Sequence, residues 1–256
     1  MKKTSIKQTA IAFLAFVFSI GTVNAAVIAN LGADYLAGNV PANYNYAYSN
    51  TVIKHLTTGT ALTANQTVGN AGNSGYGTGG GGLNIPAILG SRNGGTEFEI
   101  FNDGFQNNAG VEGTDLLLHG DETNAQYVAI QYTITAADIA AYGTQATISG
   151  SLRRLATNGD GIDFGVYHND TELFLAISDQ TGTDNSLTMA DGSFNSTRTV
   201  AAGDVITWQT FTKNDHIADE MALRATIDLV PEPETYALIF GALSLGFVML
   251  RRGFKA

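Results

Sequence analysis

Residues Met221–Leu229 read MALRATIDL, so that Met221, Leu223, Ala225, Ile227 and Leu229 alternate with Ala222, Arg224, Thr226 and Asp228. A period of two puts the first set on one face of an extended chain and the charged and polar residues on the other, the mark of a half-buried strand. The same pattern recurs upstream. Val128, Ile130, Tyr132 and Ile134 share a face in Ala125–Thr135, and Ala146, Ile148, Gly150 and Leu152 share one in Gln145–Leu152. Ile162, Phe164 and Val166 do so in Gly161–His168, and Leu173, Leu175 and Ile177 in Glu172–Ser178. Val205–Phe211 carries Val205 and Phe211 on one face, Ile206 and Trp208 on the other. His168 to Thr171 (HNDT) predicts a hairpin turn, because Asn and Asp tolerate left-handed backbone. Ala136–Tyr142 (AADIAAY) predicts one or two helical turns, too short for a main element.

The N-terminal half is less regular. Thr96–Asn102 and Thr114–His119 read as strands. Asn65–Leu83, with glycines at 77 and 79–82, reads as a long surface loop; it lacks the Gly-Lys-Ser/Thr of a phosphate loop. The total of roughly eight to ten strands predicts an all-β fold, an antiparallel two-sheet sandwich of jelly-roll-like build.

Both ends are set apart from this body. Lys2, Lys3 and Lys7 precede the apolar run Ile11–Ile20, and Val23-Asn24-Ala25 supplies small or apolar residues before Ala26. That order predicts a cleaved secretory signal over residues 1–25, its apolar helix spanning only about 15 Å against roughly 30 Å of hydrocarbon. At the other end Val230, Pro231, Glu232 and Pro233 form a stiff punctuator, because each proline fixes φ and keeps the residue before it out of helix. The uncharged run Tyr236–Leu250 follows, closed by Arg251, Arg252 and Lys255. It predicts a short transmembrane helix of about 22 Å, with the basic cluster cytoplasmic and the body on the far side of the membrane.

This tail resembles the PEP-CTERM sorting signal of Gram-negative bacteria: Pro231-Glu232-Pro233, a short apolar helix, then Arg251-Arg252. Glu234 stands where that family more often has a small residue. The resemblance covers residues 230–256. It implies recognition by an exosortase-type membrane protease, a transient inner-membrane anchor, and delivery to the cell surface or the exopolysaccharide matrix. The body, residues 26–229, is also similar to β-sandwich domains found ahead of such tails. The similar stretches are Ala33-Asp34-Tyr35 with Pro41-Ala42, Leu118-His119-Gly120, Gly161 to Tyr167, and Ala202 to Ile206. Some of those domains look like carbohydrate-binding sandwiches.

Composition narrows the chemistry. The chain has no cysteine, which excludes a disulfide framework, a cysteine-zinc site and a cysteine nucleophile. Of the 23 acidic residues 21 lie in residues 26–229, against 7 of the 13 basic ones, a net charge of −14 for the body. Such a field repels nucleic acid and anionic lipid, and suits divalent cations or neutral glycans.

Four sets of residues carry candidate chemistry. Asn158, Asp160 and Asp163 gather hard oxygen ligands in one turn and suit a structural calcium ion; the same run also makes an ordinary Asp/Asn/Gly turn. Glu97 and Glu99 would share one strand face about 7 Å apart, a spacing open to glycoside hydrolysis and equally to a solvated face. His55, His119, His168 and His216 show no ligand spacing. Tyr44, Tyr46 and Tyr48 stand two apart, so in a strand they form one aromatic face. Exposed, that face would stack on sugars; buried, it is core. No cofactor is expected beyond the calcium candidate. The residues together predict a non-enzymatic surface or matrix protein with weak glycan contact. The alternatives are a secreted polysaccharide-active enzyme, hydrolase or lyase, and a calcium-dependent adhesin.

Overall fold

A computed structural model describes residues 25–35, 40–53, 60–68, 73–77, 87–90, 116–119, 127–154, 162–177, 192–212, 221–230, 241 and 244–246. Up to Val230 they form fourteen strands and two short helices. The elements are β1 (Ala26–Asn30), α1 (Leu31–Asp34), β2 (Tyr44–Ser49), β3 (Thr60–Ala61), β4 (Thr63–Val68), β5 (Asn73–Gly77), β6 (Ala87–Gly90) and β7 (Leu116–His119). There follow β8 (Tyr127–Thr133), α2 (Ala136–Tyr142), β9 (Gln145–Arg154), β10 (Ile162–His168), β11 (Thr171–Ile177), β12 (Gly192–Thr199), β13 (Val205–Thr212) and β14 (Met221–Val230).

The strands form two antiparallel sheets. One has eight strands in the order β12-β9-β14-β7-β6-β5-β4, with β1 also paired to β14; the other has six, in the order β11-β10-β13-β8-β2-β3. β14 is central because the alternation read from its sequence is satisfied along its whole length. Met221, Leu223, Ala225, Ile227 and Leu229 are all buried. One edge of β14 pairs with β9 from Met221↔Arg154 to Val230↔Gln145; its other edge is shared by β7 and β1. The core lies between the sheets, where those residues meet Val128, Ile130, Ile134, Phe164, Val166, Ile206 and Trp208. Trp208, the single tryptophan, is fully buried, and its indole nitrogen has no hydrogen-bond partner among the described residues.

α2 forms where expected, bridging β8 of one sheet to β9 of the other. Thr135 and Asp138 close a capping box: the Asp138 N–H donates to Thr135 Oγ1 at 3.1 Å, and the Thr135 N–H to Asp138 Oδ2 at 2.8 Å. The hairpin at Asn169 and Asp170 also forms, with Asn169 at φ 51°.

Two expectations are corrected. The stretch read as a glycine-rich loop, Asn65–Leu83, holds most of β4 and all of β5, which pair from Thr63↔Gly77 to Val68↔Asn73. Ladder hydrogen bonds come from the main chain, so a strand can form where side chains give no apolar alternation. In β11 the expected face of Leu173, Leu175 and Ile177 is broken by a bulge: Val166 pairs with Phe174 and Tyr167 with Glu172, leaving Leu173 as the extra residue. Phe174 therefore turns inward against Phe164 and Phe194, with ring centroids 6.3 and 5.5 Å apart, while Leu175 is exposed.

The predicted strand Thr96–Asn102 and the signal segment lie outside the described residues. In the tail only Gly241 and residues 244–246 are described, all helical. No helix among the described residues is long and apolar enough to cross a membrane.

Candidate functional site

Four strand termini converge at one end of the six-stranded sheet. Tyr44 pairs with Tyr132, Tyr132 with Ile206, and Ile206 with His168, so the start of β2, the end of β8, the start of β13 and the end of β10 stand in one row. An open cleft of about 380 Å³ lies here, lined by Ile28, Asp34, Pro41, Asn43, Tyr44 and Tyr132 among others.

Local sequence builds each wall. Asn30 caps α1, its Oδ1 accepting from the Ala33 N–H at 3.2 Å, and its own N–H donates to Asp34 Oδ2 at 2.8 Å. That reciprocal pair fixes Asp34 at the cleft, where the same oxygen accepts from the Tyr44 hydroxyl at 2.6 Å. The opposite wall is a turn: the Tyr44 N–H donates to the Pro41 carbonyl at 3.1 Å, and Asn43 sits at φ 70°, a left-handed conformation that Asn tolerates. The Asn43 carbonyl accepts from the Thr133 N–H at 2.8 Å, stitching the turn to β8. Ala42 and Asn43 are exposed.

Tyr44 meets Tyr132 edge-on at 5.0 Å between centroids, and Tyr46 behind them stacks on Tyr35 at 6.3 Å. Burial pushes the Tyr44 phenol far up, helped by its hydrogen bond to Asp34 and that carboxylate's charge. Burial and the Asp138 charge push Tyr132 up to about 12, against a contrary pull from the Asn43 side chain. Both phenols are therefore neutral donors. Asp34 is the one carboxylate lining the cleft among the described residues, and with two donors already on it, it presents a fixed polar wall.

A second polar group stiffens the same end. Asp204 accepts from Asn169 Nδ2 at 2.9 Å and from the Ala201 N–H at 2.8 Å, and lies 2.8 Å from His168 Nε2; Asn169 Oδ1 accepts from the Val205 N–H at 2.9 Å. Burial works to raise the Asp204 carboxyl, but the bonds from Asn169, Ala201 and His168 outweigh it and hold it below the usual range.

The sequence-predicted residues fall as follows. Tyr44, Tyr46 and Tyr48 share one face of β2, and that face turns inward: Tyr46 is 1 % exposed, and Tyr44 and Tyr48 are half-buried against the core. Of the two readings the sequence left open for this face, the buried one fits, because β2 is covered by the opposing sheet; of the three, Tyr44 reaches the cleft. Asp163 lies in β10 beside a hollow of about 90 Å³ on the outer sheet face, lined by Tyr127, Tyr167, Leu175 and Gln209 among others. Asn158 and Asp160, the other calcium candidates, lie outside the described residues, as do Glu97, Glu99, His55 and His216. Among the described residues no group of three His, Asp or Glu could hold a metal ion. Val230 is the last residue of β14; Pro231, Glu232, Pro233, Arg251 and Arg252 lie outside the described residues.

Sequence reasoning gave no chemistry to Asp34, Asn43 or Tyr132. The four-residue spacing of Asn30 and Asp34, and Pro-Ala-Asn before an aromatic strand, were the available signals.

No family model matches the chain, and no curated protein does. Among solved structures, the K3 adhesin domain of Lys-gingipain from Porphyromonas gingivalis is 13 % identical, covering 79 % of this chain and 98 % of that one at a TM-score of 0.37. The CBM27-1 module of Caldicellulosiruptor saccharolyticus, solved with mannohexaose, is 10 % identical, covering 82 % and 99 % at 0.32. A Stig cyclase from Fischerella sp. TAU is 10 % identical, covering 81 % and 99 % at 0.37. Similarities of this size leave the functional reading to rest on this chain's own residues.

Proposed function

We propose that the chain is an exported, non-enzymatic β-sandwich of the cell surface or exopolysaccharide matrix, sorted by an exosortase-type protease, and that it contacts glycan at the cleft beside Tyr44. The observation that carries the glycan reading is the cleft itself. Aromatic edges from Tyr44 and Tyr132 stand beside the Asn43 amide and the fixed Asp34 carboxylate. Sugars are held by such mixtures: ring carbons pack on aromatic surface while hydroxyls find a few placed polar groups. Among the described residues the lining holds a single carboxylate, which suits binding better than the paired carboxylates of sugar cleavage. The sorting reading rests on the two ends of the sequence.

Native gels cast with the host's own exopolysaccharide test the binding. The full chain is expected to be retarded, and Asn43→Ala and Tyr132→Phe variants to run as through an empty gel. Sustained release of reducing sugar would reject binding in favour of an enzyme.

A further inference from the structure

The cleft lies at the end of the sandwich from which both terminal segments depart. β1 begins at Ala26, the first residue after the expected leader, and Ala26 pairs with Leu229, one residue before the end of β14. Val27 pairs with Asp228 and Ala29 with Ile227, so Ile28 is the extra residue of a bulge; Ile28 also lines the cleft. At the strand rise this puts a cleft wall within about 10 Å of Val230. From Val230 the uncharged run beginning at Tyr236 is reached in six residues, at most about 20 Å of extended chain.

The surface at this end agrees. Val27 is 56 % and Tyr142 39 % exposed, two of the three large apolar side chains exposed among the described residues of the body. Tyr142 is of the type that favours a membrane interface. Asp34, Asp138, Asp204 and Asp228 stand at the same end, and anionic headgroups would repel them. With the run from Tyr236 anchored in a bilayer, so short a link would keep the cleft close to it, and the acidic residues would leave a narrow aqueous gap.

We infer that the cleft faces the membrane while the tail is in place, and that long polymers reach it only after the tail is cut. This rests on the anchored-tail reading given above. Small molecules pass the gap in either state; a polymer coil broader than the gap does not. Glycan contact is thereby reserved for the released form.

The absence of cysteine makes the test direct. Ala42→Cys places a thiol at the exposed cleft rim, and Ser193→Cys places one on exposed β12 toward its other end, where Ser193 pairs with Ser151. The leader-processed full chain, with a short protease site in place of residues 231–235, is inserted in phosphatidylcholine vesicles and labelled before and after the cut. Long-chain polyethylene glycol maleimide is expected to label Ala42→Cys about tenfold more slowly before the cut. N-ethylmaleimide should label it equally in both states, and Ser193→Cys should not change with either reagent. Equal polymer labelling of Ala42→Cys before and after the cut overturns the inference. A chain that does not float with the vesicles overturns the anchor and the inference together, and leaves the gel retardation result standing.

Discussion

A Cβ placed on Gly150 would stand 2.5 Å from Cζ of Phe194, closer than real side chains come. The two residues are cross-strand partners on β9 and β12, so the bare glycine lets the Phe194 ring lie flat across its own sheet. There the ring meets Phe174 and Phe164, 5.5 and 6.1 Å away, and closes the side of the sandwich where β11 and β12 are both edge strands. Gly150→Ala is therefore expected to destabilise the chain by about 1–3 kcal/mol, the usual cost of overfilling a packed site. The urea midpoint checks this, and an unchanged midpoint contradicts the packing.

Acid should loosen the end that carries the cleft. Asp204 has a folded pKa below its ordinary 3.8, so it contributes stability that is present above pH 3.8 and is lost as pH falls through the lowered value. Asp204→Asn is expected to lower stability at neutral pH and to flatten the dependence on pH below 4. Melting temperatures of both proteins across the acid range measure it.

Alkali acts in the opposite sense on the tyrosines. Tyr44 and Tyr132 have folded pKa values above the ordinary 10.0, so their contribution is full below pH 10 and is lost as pH rises toward the folded values. An ultraviolet titration of the folded chain should leave part of its ten tyrosines un-ionised at pH 11 and release them together on unfolding. Tyr44→Phe should cost about 1–3 kcal/mol, because a charged acceptor loses its donor.

Trp208 reports the core. With its ring wholly excluded from solvent, its emission should be blue-shifted in the folded chain and move to the red in one step with urea. Iodide should quench it only after unfolding.

The C-terminal half was legible because its strands place apolar residues at every second position, toward the core between the sheets. β14 also buries alternately, whereas β8 and β10 are covered on both faces and only their larger apolar side chains keep the period; the short run AADIAAY marked α2. Phe174 was misread because a bulge shifts the period by one, and period alone cannot see a bulge. β4 and β5 were missed because their pairing is carried by the main chain of a polar, glycine-containing stretch. Of the cleft's side chains only Tyr44 was singled out for chemistry, and the sequence left open whether its face is core or a surface for sugars. The cleft is made by bringing residues 28–44 against Tyr132 across long sequence separations. Local pattern shows which face is buried and leaves open what stands beside it.

On the proposed reading this sandwich is an exported body trimmed at both ends. Intact-mass measurement of the protein recovered from the cell surface or matrix tests it most directly. The expected species begins at Ala26 and ends close to Pro233. A surface species that still carries Lys255 and Ala256, or that begins at Met1, would contradict it.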